Sequence, residues 1–252
     1  MAKIALITGA TAGIGEATAL LFAREGYNLI LTGRRSERLD ALAKRINKKH
    51  NVEIAVSSFD VRNRAEVIDN LENLPAKWKK VNVLVNNAGL SQGLDPIDKG
   101  SYDDWDTMID TNVKGLLYVT RVVSNWMITN GHGHIVNLGS IAGKEVYPNG
   151  NVYCASKHAV DALSQGMRID LLPHGIRVTA VHPGAVETEF SVVRFHGDEA
   201  RAKKVYDGFT PLAADDVAET IWFAVSRPAH VNINELIVMP TAQATATNIF
   251  RK

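Results

Sequence analysis

The chain has 252 residues, 46% of them apolar and 22% charged, with a formal charge of +1. That length can bury a large core, and the near-neutral balance supplies neither the basic field that holds a nucleic acid backbone nor an acidic tail. A lone cysteine, Cys154, excludes an intramolecular disulfide and fits a reducing compartment.

In chain order, residues 3–7 are a short apolar run stopping at Thr8-Gly9, which leaves no room for a signal peptide. No stretch approaches the roughly 18 apolar residues of a membrane span, so the expectation is a cytoplasmic protein. Thr8-Gly9-Ala10-Thr11-Ala12-Gly13-Ile14-Gly15 follows, and then a helical pattern over 16–25 closed by Gly26. Strand, glycine-rich turn and helix are the order that binds phosphate. Glycines allow close backbone approach, and the helix offers unpaired N–H groups to a pyrophosphate. The spacing is Gly-x-x-x-Gly-x-Gly, which differs from the Gly-x-Gly-x-x-Gly fingerprint, and no Lys-Ser or Lys-Thr follows to make a P-loop.

A second strand over 28–32 ends in Gly33-Arg34-Arg35. An NAD site places a carboxylate there to accept the ribose hydroxyls; two guanidiniums instead suit a 2′-phosphate, which points to NADP(H). The alternation continues with a helix over 36–49, a strand over 52–56 and a helix over 64–74, and Asp60-Val61 leaves the third strand. Asp60 could meet an adenine amino group, or simply shape the turn. A fourth strand over 81–85 runs into Asn86-Asn87-Ala88-Gly89, small residues at the edge where such sheets bind ligands. A long amphipathic helix is expected over 105–130, with the amide of Asn112 amid apolar neighbours. That amide either satisfies backbone groups or holds a water beside an active site.

The fifth strand, 134–138, delivers Ser140 to the same crevice, and further strands are expected over 177–181 and 234–238. The repeated alternation predicts one α/β domain over 1–252, a parallel sheet with helices on both faces. Between Ser140 and the sixth strand lies Tyr153-Cys154-Ala155-Ser156-Lys157. Residues four apart share a helix face, so a phenol and an ammonium meet, and the cation is expected to lower the phenol pKa toward a usable acid or base. Cys154 reads as helix packing. His132-Gly133-His134 lacks further ligands at zinc-like spacing, so no metal is expected.

Together, Thr8-Gly9-x-x-x-Gly13-x-Gly15, Asn86-Asn87-Ala88-Gly89, Asn112, Ser140, Tyr153-x-x-x-Lys157 and Pro183-Gly184 resemble the NADP-dependent short-chain dehydrogenase/reductases over nearly the whole chain. The resemblance implies a single-domain, Rossmann-like doubly wound α/β fold with a seven-stranded parallel sheet. It also implies Tyr153 as acid/base, Lys157 tuning it and binding the nicotinamide ribose, Ser140 orienting the substrate oxygen, and Asn112 completing a water-linked relay. Cofactor contacts are implied at Thr11, Ile14, Asn87, Ala88, Gly89, Pro183, Gly184, Val186 and Thr188 as well. Glu187 to Asp198, Pro211-Leu212, Asp215 to Ala218 and the tail from Met239 are similar to a subgroup acting on small 3-hydroxy acids such as serine and L-allo-threonine.

A 3-hydroxy acid needs a cation for its carboxylate, and Arg194 and Lys144 are the candidates. Residues 187–212 are expected to form a charged surface lid, and the tail 241–252 to cover a neighbouring subunit or fray. Homotetramers, common among relatives, are the expected assembly. Two other readings stand beside the hydroxy acid dehydrogenase: a carbonyl reductase of ketoacyl thioesters or uncharged ketones, and a non-catalytic dinucleotide sensor.

Overall fold

The computed structural model describes residues 2–252. Seven strands, β1 (Ile4–Ile7), β2 (Asn28–Gly33), β3 (Ile54–Ser58), β4 (Val83–Asn86), β5 (Gly133–Leu138), β6 (Ile176–Pro183) and β7 (Glu235–Val238), form one sheet in the order β3-β2-β1-β4-β5-β6-β7. Every pairing is parallel. The sheet follows from strands that are apolar on both faces. Ala5 and Ile7 point into a layer with Phe22, Leu39 and Ile221, while Ile4 and Leu6 point into a second layer with Leu71, Val123 and Trp126. Helices α1 (Gly13–Arg24) and α2 (Ser36–Asn47) cover the first face, and α3 (Arg64–Glu72) lies on the second.

The strand order reverses between β1 and β4, which opens a crevice at the carboxyl ends of the strands. The glycine-rich turn, Asn87, Gly139-Ser140 and Pro183-Gly184 all leave the sheet at that edge. This is how positions far apart in sequence become one site.

Two expectations change. The helix anticipated over 105–130 is α4 (Tyr102–Ile109) and α5 (Leu116–Asn130), joined by a π-helical segment, Asp110–Gly115, that contains Asn112. A widened turn of this kind is often found at functional sites. Gly115 lies against Val61, where a Cβ would fall 2.7 Å from the valine side chain, so the segment packs closely on the end of β3. The lid is also more structured than a surface loop: it holds α7 (Phe190–Arg194) and α8 (Glu199–Lys204). Helix α6 (Asn151–Asp170) carries Tyr153 and Lys157, and α9 (Ala214–Val225) packs on α1.

The tail is hydrogen-bonded to its own chain. Gln243 Oε1 accepts from the Ala185 N–H at 2.8 Å, Ala246 N–H donates to Glu145 Oε2 at 2.7 Å, and Lys252 N–H donates to the Gly208 carbonyl at 2.8 Å. It is strapped over the lid of its own chain.

Candidate active site

One cavity of about 470 Å³ runs from Arg34 and Arg35, past Gly9 and Gly13, to Ser140, Tyr153, Lys157 and Arg194. At its first end Gly9 and Gly13 adopt φ of +66° and +54°, a region that side-chain-bearing residues rarely occupy. The loop is pressed tight: a Cβ on Gly15 would stand 2.3 Å from the Gly9 carbonyl oxygen. Asn87 ties this loop to the end of β4, its Nδ2 donating to the carbonyls of Thr8 and Gly9 at 2.8 and 3.1 Å. Thr8 Oγ1 accepts from the N–H groups of Asn87 and Ala88, both at 3.0 Å. Ala12 gives α1 no side-chain cap, so the first-turn N–H groups stay open to an anion.

The arginines sit where expected, with company the sequence does not advertise. Arg35 donates to Thr11 Oγ1 at 2.9 Å and pairs with Glu189 of the lid at 2.9 Å; Arg38 grips the same carboxylate at 2.6 Å. Hydrogen bonds from Arg38 and Arg35 hold the Glu189 carboxyl below its usual pKa. Arg34 has only Asp60 nearby, at 4.0 Å. Asp60 lines the cavity, yet its Oδ2 accepts from Arg62 Nε and Nη2 at 2.9 and 2.6 Å and its Oδ1 from the Arg62 N–H, so its principal work is to shape the loop. Val61, Ala88, Gly89, Ile14, Pro183, Gly184, Val186 and Thr188 line the same cavity, with Thr188 against Gly13.

The second end is more deeply buried. Ser140, Tyr153 and Lys157 are buried, at 8%, 7% and 6% exposure. Ser140 Oγ caps a short 3-10 turn, accepting from the Ala142 N–H at 3.1 Å, and its hydroxyl faces Tyr153 across the cavity wall. Lys157 lies beside Tyr153, its Nζ 6.0 Å from the centre of the phenol ring. Its Nζ donates to the Leu138 carbonyl at 2.8 Å, and burial lowers its pKa to about 8. Burial raises the Tyr153 pKa, and the groups that oppose this are the Arg194 guanidinium and the Ser140 hydroxyl. The expected drop in phenol pKa is therefore reversed: desolvation of the phenolate outweighs the cation beside it.

Asn112 takes the backbone-satisfying role. Its Oδ1 accepts from the Leu90 N–H, and its Nδ2 donates to the Leu90 carbonyl and to Ser156 Oγ, at 2.8, 2.8 and 3.0 Å. Both amide hydrogens are used within the protein, so its side chain has none left to donate to a water relay. Ser156 in turn donates to the Tyr153 carbonyl at 2.7 Å. Cys154 is buried and its thiol pKa is raised by burial, in keeping with packing. His134 accompanies it as a core residue: Nε2 lies 2.8 Å from Thr179 Oγ1, and burial lowers its pKa to about 3.

The two candidate cations separate sharply. Lys144 is a correction: its ammonium is engaged by Asp161 at 3.0 Å and Glu235 at 2.8 Å, so it is not free to meet a substrate. Arg194 lies over the rings of Tyr153 and Phe190, 5.3 and 5.0 Å from their centroids, and donates from Nη2 to the Tyr147 hydroxyl at 3.2 Å. Its Nε is buried without a partner. Tyr147, Phe190 and Glu189 went unread in the sequence because nothing local marks a residue whose partner arrives from another element.

The profile of the short chain dehydrogenases matches residues 3–198. The chain is 47% identical over 251 residues to an NADP-dependent 3-hydroxy acid dehydrogenase, YdfG, of Escherichia coli strain K12, covering 99% of this chain and 100% of that one. It is 49% identical over 245 residues to sulfoacetaldehyde reductase 2 of Chromohalobacter salexigens, covering 97% and 96%. A solved structure, the closed form of serine dehydrogenase complexed with NADP+, superposes with a TM-score of 0.93 at 47% identity over 99% of this chain and 100% of that one. With the glycine-rich turn, the Ser140-Tyr153-Lys157 set and these matches in agreement, the chain belongs to the short-chain dehydrogenase family.

Proposed function

We propose that the protein is an NADP-dependent oxidoreductase that transfers hydride between NADP(H) and a small 3-hydroxy acid such as L-serine, L-allo-threonine or 3-hydroxyisobutyrate. The observation that carries the substrate class is Arg194, a guanidinium stacked on Tyr153 with a buried, unpartnered Nε and no carboxylate within reach among the described residues. A guanidinium N–H buried without a partner costs free energy until an acceptor meets it. A substrate carboxylate supplies that anion and sets the adjoining hydroxyl beside Tyr153.

The cavity fits the cofactor. Arg34, Arg35 and Thr11 would hold a 2′-phosphate, the open N-terminus of α1 the pyrophosphate, and Lys157 a ribose. When bound, NADP(H) supplies or accepts the hydride. In the oxidative direction Tyr153 takes the proton from the substrate hydroxyl, while Ser140 holds the oxygen and stabilises its developing charge. In the reverse direction Tyr153 returns the proton. Because burial raises the Tyr153 pKa, the oxidative rate should climb with pH and the reductive rate fall.

A second reading has its own support. The same guanidinium matches a sulfonate, and a relative at 49% identity is named a sulfoacetaldehyde reductase. Uncharged ketones and long acyl thioesters are disfavoured by an unpaired arginine in the pocket. The exposed Tyr102, Ile169 and Leu172 support self-association through the helices over 102–130 and 151–170, as in a homotetramer. No helix among the described residues is long and apolar enough to cross a membrane, in keeping with a cytoplasmic assignment.

The test is initial rates at 340 nm with NADP+ and NAD+, each offered L-serine, L-allo-threonine, 3-hydroxyisobutyrate and an uncharged secondary alcohol, and with NADPH offered sulfoacetaldehyde. Turnover of the acids with NADP+ and little with the alcohol is the expected result. Activity confined to sulfoacetaldehyde would select the second reading, and activity confined to the alcohol would remove the anion clamp.

A further inference from the structure

Behind Ser140, on the side away from the cavity, lies a second polar cluster. His182, the penultimate residue of β6, is fully buried, and its Nδ1 stands 3.2 Å from the Ser140 carbonyl oxygen. A carbonyl only accepts, so Nδ1 carries the proton and donates. Gly139 is pressed against the same ring: a Cβ there would fall 2.3 Å from Nδ1, so the imidazole occupies the space that a side chain at 139 would need. The ring's other nitrogen, Nε2, faces Asp161 Oδ1 at 3.6 Å, and neither atom has a hydrogen-bond partner. Asp161 Oδ2 and Glu235 share the Lys144 ammonium.

Asp161, His182 and Glu235 bring three potential ligand atoms within 4.8 Å of one another. Lys144 already serves as the cation of that group. The cluster's significance is its connectivity. Tyr153, Lys157 and Asp161 are spaced by four on α6 and share one helix face. The chain Ser140–His182–Asp161–Lys144 therefore runs between the segment that carries Ser140 and the helix that carries Tyr153, with Lys144 itself closing the turn that begins at Ser140.

We propose that His182 is a positioning residue, which with Asp161 and Lys144 braces the Ser140 segment against α6 and fixes the Ser140 hydroxyl relative to the Tyr153 hydroxyl. This rests on the reading of Ser140 and Tyr153 as the proton-transfer pair. The carbonyl of Ser140 is held from behind by His182 while its Oγ is held from the front by the Ala142 N–H, so the side chain has little freedom to rotate away. Loss of the rear contact leaves the Ser140 carbonyl with the Gly143 N–H alone, at 2.8 Å, and frees space beside Gly139, and the segment moves to fill it.

The test compares His182→Leu with His182→Asn, whose amide nitrogen can take the place of Nδ1. Wild-type turnover, and its loss in Tyr153→Phe, first establishes the pair independently of the brace. In His182→Leu, kcat should fall about ten- to a hundredfold, as small displacements of reacting groups do, with NADPH affinity retained within about twofold. The deuterium isotope effect on kcat, measured with substrate labelled at the carbon that loses hydride, should rise as chemistry becomes limiting. His182→Asn should recover most of the loss. Unchanged kcat in His182→Leu, parallel loss of kcat and NADPH binding, or an asparagine variant as impaired as the leucine one would each overturn the proposal. If His182→Leu does not fold, Lys144→Met at the partly exposed end of the cluster decides: reduced kcat with a raised isotope effect supports the brace, and unaltered kcat refutes it.

Discussion

The two ends of the cavity use their charges in opposite ways. At the adenosine end Arg34, Arg35, Arg38 and Glu189 are roughly half exposed, and Arg35 and Arg38 share the Glu189 carboxylate. Exposed pairs of this kind are worth little to stability, on the order of 0–1 kcal/mol, so that end can be tuned without unfolding the chain. At the catalytic end Lys157 and the Nε of Arg194 are buried with incomplete pairing. There the charges burden the fold, and function is the return.

The largest effect should come from the buried end. Tyr153→Phe removes the hydroxyl that exchanges the proton, and kcat should drop by about 10² to 10⁴-fold, the usual worth of a general acid/base. NADPH titration monitored by fluorescence should show binding intact. Retained turnover would remove Tyr153 from the mechanism.

Lys157→Met should separate activity from stability. The folded pKa of Lys157 is about 8 against an ordinary 10.5, so between those values the unfolded chain binds the proton that the folded one has shed. Wild-type stability should therefore rise with pH across that window. At neutral pH the burial of the charge costs about 3 kcal/mol, offset in the variant by about 1–3 kcal/mol for the unpaired Leu138 carbonyl. The variant should lose turnover while holding or raising its Tm at pH 7, and the rise in Tm from pH 8 to 10.5 should flatten. A large fall in Tm at pH 7 would mean that the ammonium is chiefly a structural donor.

The exposed end should respond more mildly. Arg35→Ala removes one charge-assisted contact to a 2′-phosphate, worth about 1.5–3 kcal/mol, so the preference for NADP+ over NAD+ in kcat/KM should fall by roughly 10- to 100-fold. The kcat at saturating NADP+ should hardly move. An unchanged ratio would assign the phosphate to Arg34 alone.

The same division explains what the sequence disclosed. Local pattern was enough for the strands, because β1, β2 and β4 are apolar on both faces, and for the turn at Gly9, because its backbone conformation demands glycine. Tyr153 and Lys157 were legible through helix periodicity. What stayed hidden depends on partners that only the fold supplies. Lys144 reads as a free cation until Asp161 and Glu235 arrive from α6 and β7, and Glu189 reads as a surface acid until the lid lays it on Arg35 and Arg38. Burial inverted the Tyr153 expectation for the same reason: spacing shows which groups are neighbours, not how dry their surroundings are. The interruption of the helix at Asp110–Gly115 has no composition signal, since its cause lies in the tertiary contacts of Asn112 and Gly115.

The central claim is that Arg194 reads an anionic substrate. Arg194→Met keeps the length and apolar contact of the side chain over Tyr153 and Phe190 while deleting its charge. KM measured in parallel for the best 3-hydroxy acid and for an uncharged secondary alcohol should rise by about 10- to 100-fold for the acid, the worth of a buried charge-assisted contact, and stay nearly constant for the alcohol. Equal changes for both substrates would show that Arg194 serves the shape of the pocket and that the carboxylate is recognised elsewhere.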